Sequence, residues 1–355
     1  MTDSVRVIQC GVGAMGSNMV RLLQAKPRVR VVAAIDHDEK KIGRDLGEVS
    51  GLDRAMGVTV RHASDRALGR VRADVVLLAT TAFAKEAFPQ IMSFVARGSG
   101  VVAIAQELFF PVGTKNRRLA GEIDAAAKQA GVAVVSVGIN PGFAMDVVPI
   151  VCSLPCWEVE DVFVRRVVDF SPYGPDEMRH IGVGLTPNQF AGGVRSGDIG
   201  HIGLLETAAM VAYCLGLPVE LLRQTKKPLV TDHSRETEFA SISPGRVYGF
   251  KQQVVGFAGD RQLLDFEMTA FVGPDTDERS QMGDYTRING TPSVDVRIKE
   301  EIAQRGGLGT AGAAVNAMPK VLRSPPGFHT LNELAMPHLW SGSPGVKPVR
   351  KIVYH

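Results

Sequence analysis

The period of apolar and polar positions changes along the chain. Over residues 1–143, short β-branched apolar runs at 5–10, 29–35, 58–61, 75–79, 100–105 and 132–137 alternate with stretches of helical period at 15–24, 84–96 and 117–129. Such runs, separated by helices, predict strands covered on both faces, hence a doubly wound parallel sheet of Rossmann type. From 144 to 305 the texture lengthens: strands are predicted at 158–168, 247–257 and 263–271, with a helix at 204–215. This predicts a second, α+β domain, with substrate held between the two. Residues 306–355 form the last unit, expected to pack back on the first domain. It starts with the small-residue helical run GGLGTAGAAVNAMPKVL, and its Pro- and Gly-rich tail from Arg323 is predicted to run irregularly over the surface.

Composition adds bounds. A chain of 355 residues exceeds one ordinary core, and 45% apolar with 22% charged residues is globular in balance. A net charge of +3 from 40 basic and 37 acidic residues argues against a nucleic-acid partner. No window approaches about 18 apolar residues, and MTDSVRVIQCGVGAMG enters a strand without a signal-peptide pattern, so the expectation is a cytoplasmic protein with no membrane partner. The cysteines at 10, 152, 156 and 214 lack zinc-ligand spacing, so reduced thiols and no metal site are expected.

Three loops at predicted strand ends carry chemistry. Gly11-Val-Gly13-Ala14-Met15-Gly16 is a G-x-G-x-x-G turn between a strand and a helix, where the glycines allow a tight turn, close approach to a pyrophosphate and close helix packing. Asp36 ends the second strand, placed to accept hydrogen bonds from ribose hydroxyls. That predicts NAD, with NADP left open because His37, Lys40 and Lys41 stand nearby. Thr80 and Thr81, then Gln106 and Glu107, follow the next strands toward the nicotinamide, and Asn140 sits in the hinge GINPGF, able to bond the carboxamide or ribose. Glu107 is the least ordinary of these, a carboxylate inside the apolar run VVAIAQELFFP.

The chain also resembles a known family, the 2,4-diaminopentanoate dehydrogenases and related NAD(P)-dependent amine dehydrogenases, distant relatives of dihydrodipicolinate reductase. The resemblance is carried by KIGRDLGEV, ATTAFAKEAFPQ, AIAQELFFP, VGINPGF, DFSPYGP, GVGLTPNQF, GHIG and AVNAMPKVLRSPPGF. It implies oxidative deamination of an amine and reductive amination of a ketone with ammonia, usually by a homodimer. It also implies a catalytic glutamate in an IAEE-type loop, matched here by Glu107, with Gln106 replacing the first acid. Tyr173 and the GHxG histidine, His201, are implied pocket residues, while a further family histidine is replaced by Gln252.

A carboxylate suits this chemistry, since it orients the neutral amine, stabilises a developing iminium and exchanges protons with water. Gln106, Phe143, Met145, Tyr173 and His201 are the expected pocket. Arg165, Arg166, Arg179 and His180 are candidate partners for a substrate carboxylate, and Asp169 for an amine, against the commoner reading of such charges as structural. Two other functions compete. One is a different imine or aldehyde reductase on the same scaffold, although no His-His-x-x-Lys motif occurs and Cys152 lacks an evident base. The other is a non-catalytic nucleotide sensor, which has no need of Glu107.

Overall fold

The computed structural model describes residues 4–299 and 307–334. The first part runs β1 (Val5–Cys10), α1 (Ala14–Gln24), β2 (Val29–Ile35), α2 (Leu46–Val49), β3 (Val60–Arg61), β4 (Val75–Leu78), α3 (Ala84–Val95), β5 (Gly100–Ala103), α4 (Arg117–Ala130) and β6 (Ala133–Ser136). The second begins with α5 (Val147–Cys152), β7 (Glu158–Asp169), α6 (Pro175–His180), α7 (Pro187–Ser196) and α8 (Leu204–Leu215). It continues through β8 (Leu221–Val230), β9 (Arg235–Glu236), β10 (Ser241–Ile242), β11 (Val247–Ala258), β12 (Arg261–Phe271), α9 (Thr276–Ser280), β13 (Gly283–Thr291) and β14 (Val294–Ile298). From residue 307 on, α10 (Leu308–Val321) and β15 (Gly327–His329) follow.

Seven parallel strands order as β15-β6-β5-β4-β1-β2-β3. The period of two explains both layers. Val75 and Leu77 turn toward Met19 and Leu23 of α1 and Val315 and Met318 of α10, while Val76 and Leu78 turn toward Ile91 and Phe94 of α3 and Ile123 of α4. Each large apolar side chain so buried contributes about 1.5–3 kcal/mol. Strand order reverses between β1 and β4, which opens a crevice beyond their carboxyl ends.

The second sheet orders as β14-β13-β7-β12-β11-β8, with β7 and β12 parallel and the other neighbours antiparallel. Its inner face packs on Leu204, Ala208 and Val211 of α8 and on Phe190 of α7. Strands β8 and β13 were not expected from sequence, because LLRQTKKPLV and GDYTRINGT carry polar residues on both faces, with Asp284 and Thr286 of β13 buried. The tail also departs from its predicted irregularity: Gly327–His329 pairs in parallel with β6 and completes the first sheet. Residues 335–355 lie outside the described residues.

Candidate active site

The glycine turn is built by close packing. Gly11 has φ +86°, and a Cβ there would sit 2.4 Å from the Ala79 carbonyl oxygen; one on Gly16 would sit 1.9 Å from that of Gly11. At Gly13 a Cβ would meet nothing within 4 Å, so the backbone faces open space at the start of α1. No side chain caps that helix, leaving its first N–H groups and its positive end for an anion. These residues fit a dinucleotide pyrophosphate. Asp36, almost fully buried, accepts N–H bonds from Val12 (2.7 Å), His37 (2.8 Å) and Asp38 (3.0 Å), with Lys41 Nζ at 3.4 Å. Burial pushes its carboxyl up, but these N–H donors and the Lys41 cation outweigh it and hold it below the usual carboxylate range. Asp36 therefore secures the glycine turn to the end of β2, in addition to the ribose role expected for it.

From Met15 a cavity of about 440 Å³ runs between the two domains. Its walls include Thr80, Thr81, Gln106, Asn140, Tyr173 and His201, so seven expected residues, with Met15, meet in one place. The hinge turn, with a cis Asn140–Pro141 bond, is held from behind by buried Asp146, which accepts N–H bonds from Gly142 (2.8 Å) and Val147 (2.7 Å) and a hydroxyl from Thr207 (3.2 Å). Burial raises Asp146 to about 6, opposed by those donors and by Arg166. Against this turn lies the Gly200–Gly203 loop. Gly203, at φ +92°, comes so close that a Cβ would be 2.8 Å from the Pro141 ring and 3.4 Å from Gln106 Cβ. His201 Nε2 meets the Asn140 carbonyl at 3.0 Å, and its Nδ1 is buried without a partner among the described residues. Burial pushes His201 down to about 4, reinforced by Arg166 and opposed by the Asn140 hydrogen bond.

Sequence reasoning undervalued Arg166. It is 3% exposed, lines the cavity, and bonds Asp284 Oδ1 through Nη1 at 2.8 Å, the single hydrogen bond it makes among the described residues. The signal was present in the alternation of β7, where Val162, Val164, Arg166 and Val168 share the buried face. Gly307 and Thr310, at the start of α10, also reach the cavity, and no local pattern announced them.

Three expected site residues lie elsewhere or do other work. Met145 is fully buried in the second core, and Phe143 is 37% exposed and off the cavity wall. Gln106 faces the cavity, and its carboxamide has no hydrogen-bond partner among the described residues. Glu107, 12% exposed by side chain, is not on the wall: it accepts the Ala84 N–H at 3.0 Å and pairs with Lys115 at 2.8 Å. The reason is local. Gln106–Leu108 forms a single 3-10 turn, which directs consecutive side chains apart and sends Glu107 to the start of α3. Beside it, burial and the Glu107 charge raise Glu206.

A dinucleotide turn opening into a polar cleft between a Rossmann domain and an α+β domain defines a nicotinamide-dependent oxidoreductase. Residues 5–102 match the N-terminal domain of dihydrodipicolinate reductase, and residues 143–347 match the C-terminal domain of 2,4-diaminopentanoate dehydrogenase. The chain belongs to the 2,4-diaminopentanoate dehydrogenase family. It is 32% identical over 343 residues to the 2,4-diaminopentanoate dehydrogenase of Acetoanaerobium sticklandii, covering 96% of each chain. It is 25% identical over 343 residues to an amine dehydrogenase of Streptomyces virginiae, covering 92% of this chain and 94% of that one. In fold it is similar to the amine dehydrogenase of Mycobacterium smegmatis, with a TM-score of 0.82 at 24% identity over 95% of this chain and 98% of that one.

Proposed function

We propose that this protein catalyses the NAD(P)-dependent oxidative deamination of 2,4-diaminopentanoate to 2-amino-4-oxopentanoate and ammonia, and the reverse reductive amination of ketones. The observation that carries the substrate class is the pairing, in one cleft, of a buried guanidinium with spare N–H donors and a buried imidazole with a spare acceptor. The first suits a carboxylate and the second an amine. The dinucleotide, when bound along the Gly11–Gly16 turn, supplies the hydride acceptor. The chain's own residues then bind and orient. Arg166 holds the substrate carboxylate. Gln106 and Asn140 offer amide groups to the polar end, and Val168, Phe170 and Phe250 line the cavity with apolar surface. Water that enters to hydrolyse the iminium meets Glu177 and His180 on exposed α6 at the cavity. Glu107 acts as a positioning residue, fixing the Thr81–Ala84 loop against the turn that carries Gln106.

Asp36 favours NAD, and Lys41, with exposed His37, tempers the charge a 2′-phosphate would meet. The proposal includes a homodimer: Phe163, Val255 and Tyr285 are only partly buried, alternating with the buried residues of β7, β11 and β13 on the sheet face away from the helices. Light scattering measures that assembly directly.

The deciding assay follows reduction of NAD and NADP with 2,4-diaminopentanoate and a panel of simple amines, then oxidation of the reduced cofactors with ketones plus ammonia. Turnover of no amine would overturn the proposal. Arg166→Gln is expected to raise KM for the carboxylate-bearing substrate by about 10–100-fold, the scale of a charged hydrogen bond, while amines lacking a carboxylate keep theirs.

A further inference from the structure

His201 is held more completely than a cavity-lining histidine requires. Its backbone N–H donates to Gln252 Oε1 at 2.8 Å, and its carbonyl accepts from Gln252 Nε2 at 3.0 Å. Gln252 is fully buried on β11, and its carboxamide thus serves both backbone groups of one residue, as a neighbouring strand would. An imidazole at 252 could not do this, because its two nitrogens lie on different edges of the ring and point apart. The side chain of His201 is fixed in turn. The Asn140 carbonyl accepts only, so Nε2 carries the proton, and Nδ1 is left as a lone pair.

Burial, the Arg166 guanidinium and the Lys226 ammonium all disfavour a second proton on the ring. Lys226, which donates to the Ile199 carbonyl at 2.8 Å, approaches from β8, and Arg166 from β7. Nδ1 is therefore an acceptor with no donor among the described residues, in a residue that lines the cleft. Such an atom calls for a donor, and a carboxylate in its place would be repelled. Of the groups an amino acid substrate brings, the neutral amine and ammonia supply N–H.

We infer that His201 Nδ1 receives an N–H of the reacting nitrogen, and that Gln252 is the positioning residue that fixes His201 for this contact. The inference rests on the amine-dehydrogenase reading above. The Arg166 and Lys226 cations that keep the ring neutral also disfavour an ammonium beside it, so the contact favours the neutral nitrogen, the form able to give up hydride from its carbon or to attack a carbonyl.

The experiment compares wild type, His201→Phe, Gln252→Ala and Gln252→Glu by steady-state kinetics in both directions, with dinucleotide affinity measured separately by fluorescence titration. Expected in His201→Phe is a rise of about tenfold in KM for amine and for ammonia, the scale of one neutral hydrogen bond, with dinucleotide affinity unchanged. Gln252→Ala should show the same selective loss, and Gln252→Glu, which keeps the acceptor for the His201 N–H, should recover part of it. Competitive inhibition adds a binding readout: the preference for an amine over its hydrocarbon isostere should collapse in His201→Phe, while the isostere's own affinity holds. For the case of an unfolded variant, nitrogen NMR of the wild-type histidines should show one non-titrating ring protonated at Nε2 whose Nδ1 signal moves on amine binding. Unchanged KM for amine in His201→Phe, loss of dinucleotide affinity instead, or an Nδ1 signal indifferent to amine would overturn the inference while leaving amine turnover intact. Absence of any amine turnover in wild type would remove the reading beneath it as well.

Discussion

Glu107 interrupts the apolar run VVAIAQELFFP, and in the folded chain that interruption answers to α3 and Lys115, with the cavity left to its neighbour Gln106. Sequence could locate the turn but could not say which of two adjacent polar residues faces the ligand, because a rotation of one residue within a 3-10 turn decides it. The two roles differ in what they predict. As a positioning residue, Glu107→Gln should keep its fold and dinucleotide affinity and lose about tenfold in kcat/KM without a change in the shape of the pH profile. A loss of three orders of magnitude or more, with an altered acidic limb, would mark direct proton transfer instead. Arg166 teaches the converse. Its charge on the buried face of an alternating strand was readable in sequence, but its value depended on Asp284, 118 residues away, which makes so deep a cation tolerable.

At the level of elements, the glycine turn and the hinge each fix a loop by filling its donors. Gly16→Ala would drive a methyl into the Gly11 carbonyl, so dinucleotide affinity should fall at least tenfold, and the loss should appear in equilibrium binding as well as in turnover. The hinge gives a pH prediction. Because Asp146 is raised in the folded protein to about 6, the native state holds a proton that the unfolded chain has already released between about pH 4 and 6. Its contribution to stability is therefore most favourable below the ordinary carboxylate pKa and declines as pH rises through about 6. Asp146→Asn should remove that downward slope from the denaturation midpoints, and at low pH should cost about 1–3 kcal/mol through the Gly142 N–H, which then faces an amide NH2. Chemical denaturation of both proteins across that range checks the sign.

For the whole molecule, the cleft exists because distant segments close on it. Thr310 and Gly307 come from the start of α10, Met15 from the glycine turn, and Arg166 and Phe250 from the second sheet. A ligand that bridges these parts must stabilise all of them: dinucleotide at about 100 times its Kd adds roughly 2.7 kcal/mol to whatever unfolds with the site. A rise in Tm with dinucleotide, enlarged by substrate, is the expected calorimetric outcome, and the absence of any shift would show that the folded protein does not bind it. The sequence alone determined the doubly wound sheet, the second domain, the phosphate turn and the family, since these follow from local periodicity, from glycines a tight turn demands and from contiguous motifs. Only the tertiary structure decided that Gln106 and not Glu107 faces the cleft, that Met145 is core, that Gln252 grips His201, and that the tail closes the first sheet with β15. Those outcomes rest on contacts between residues tens to hundreds of positions apart, and on side-chain directions that packing selects, neither of which a linear pattern carries.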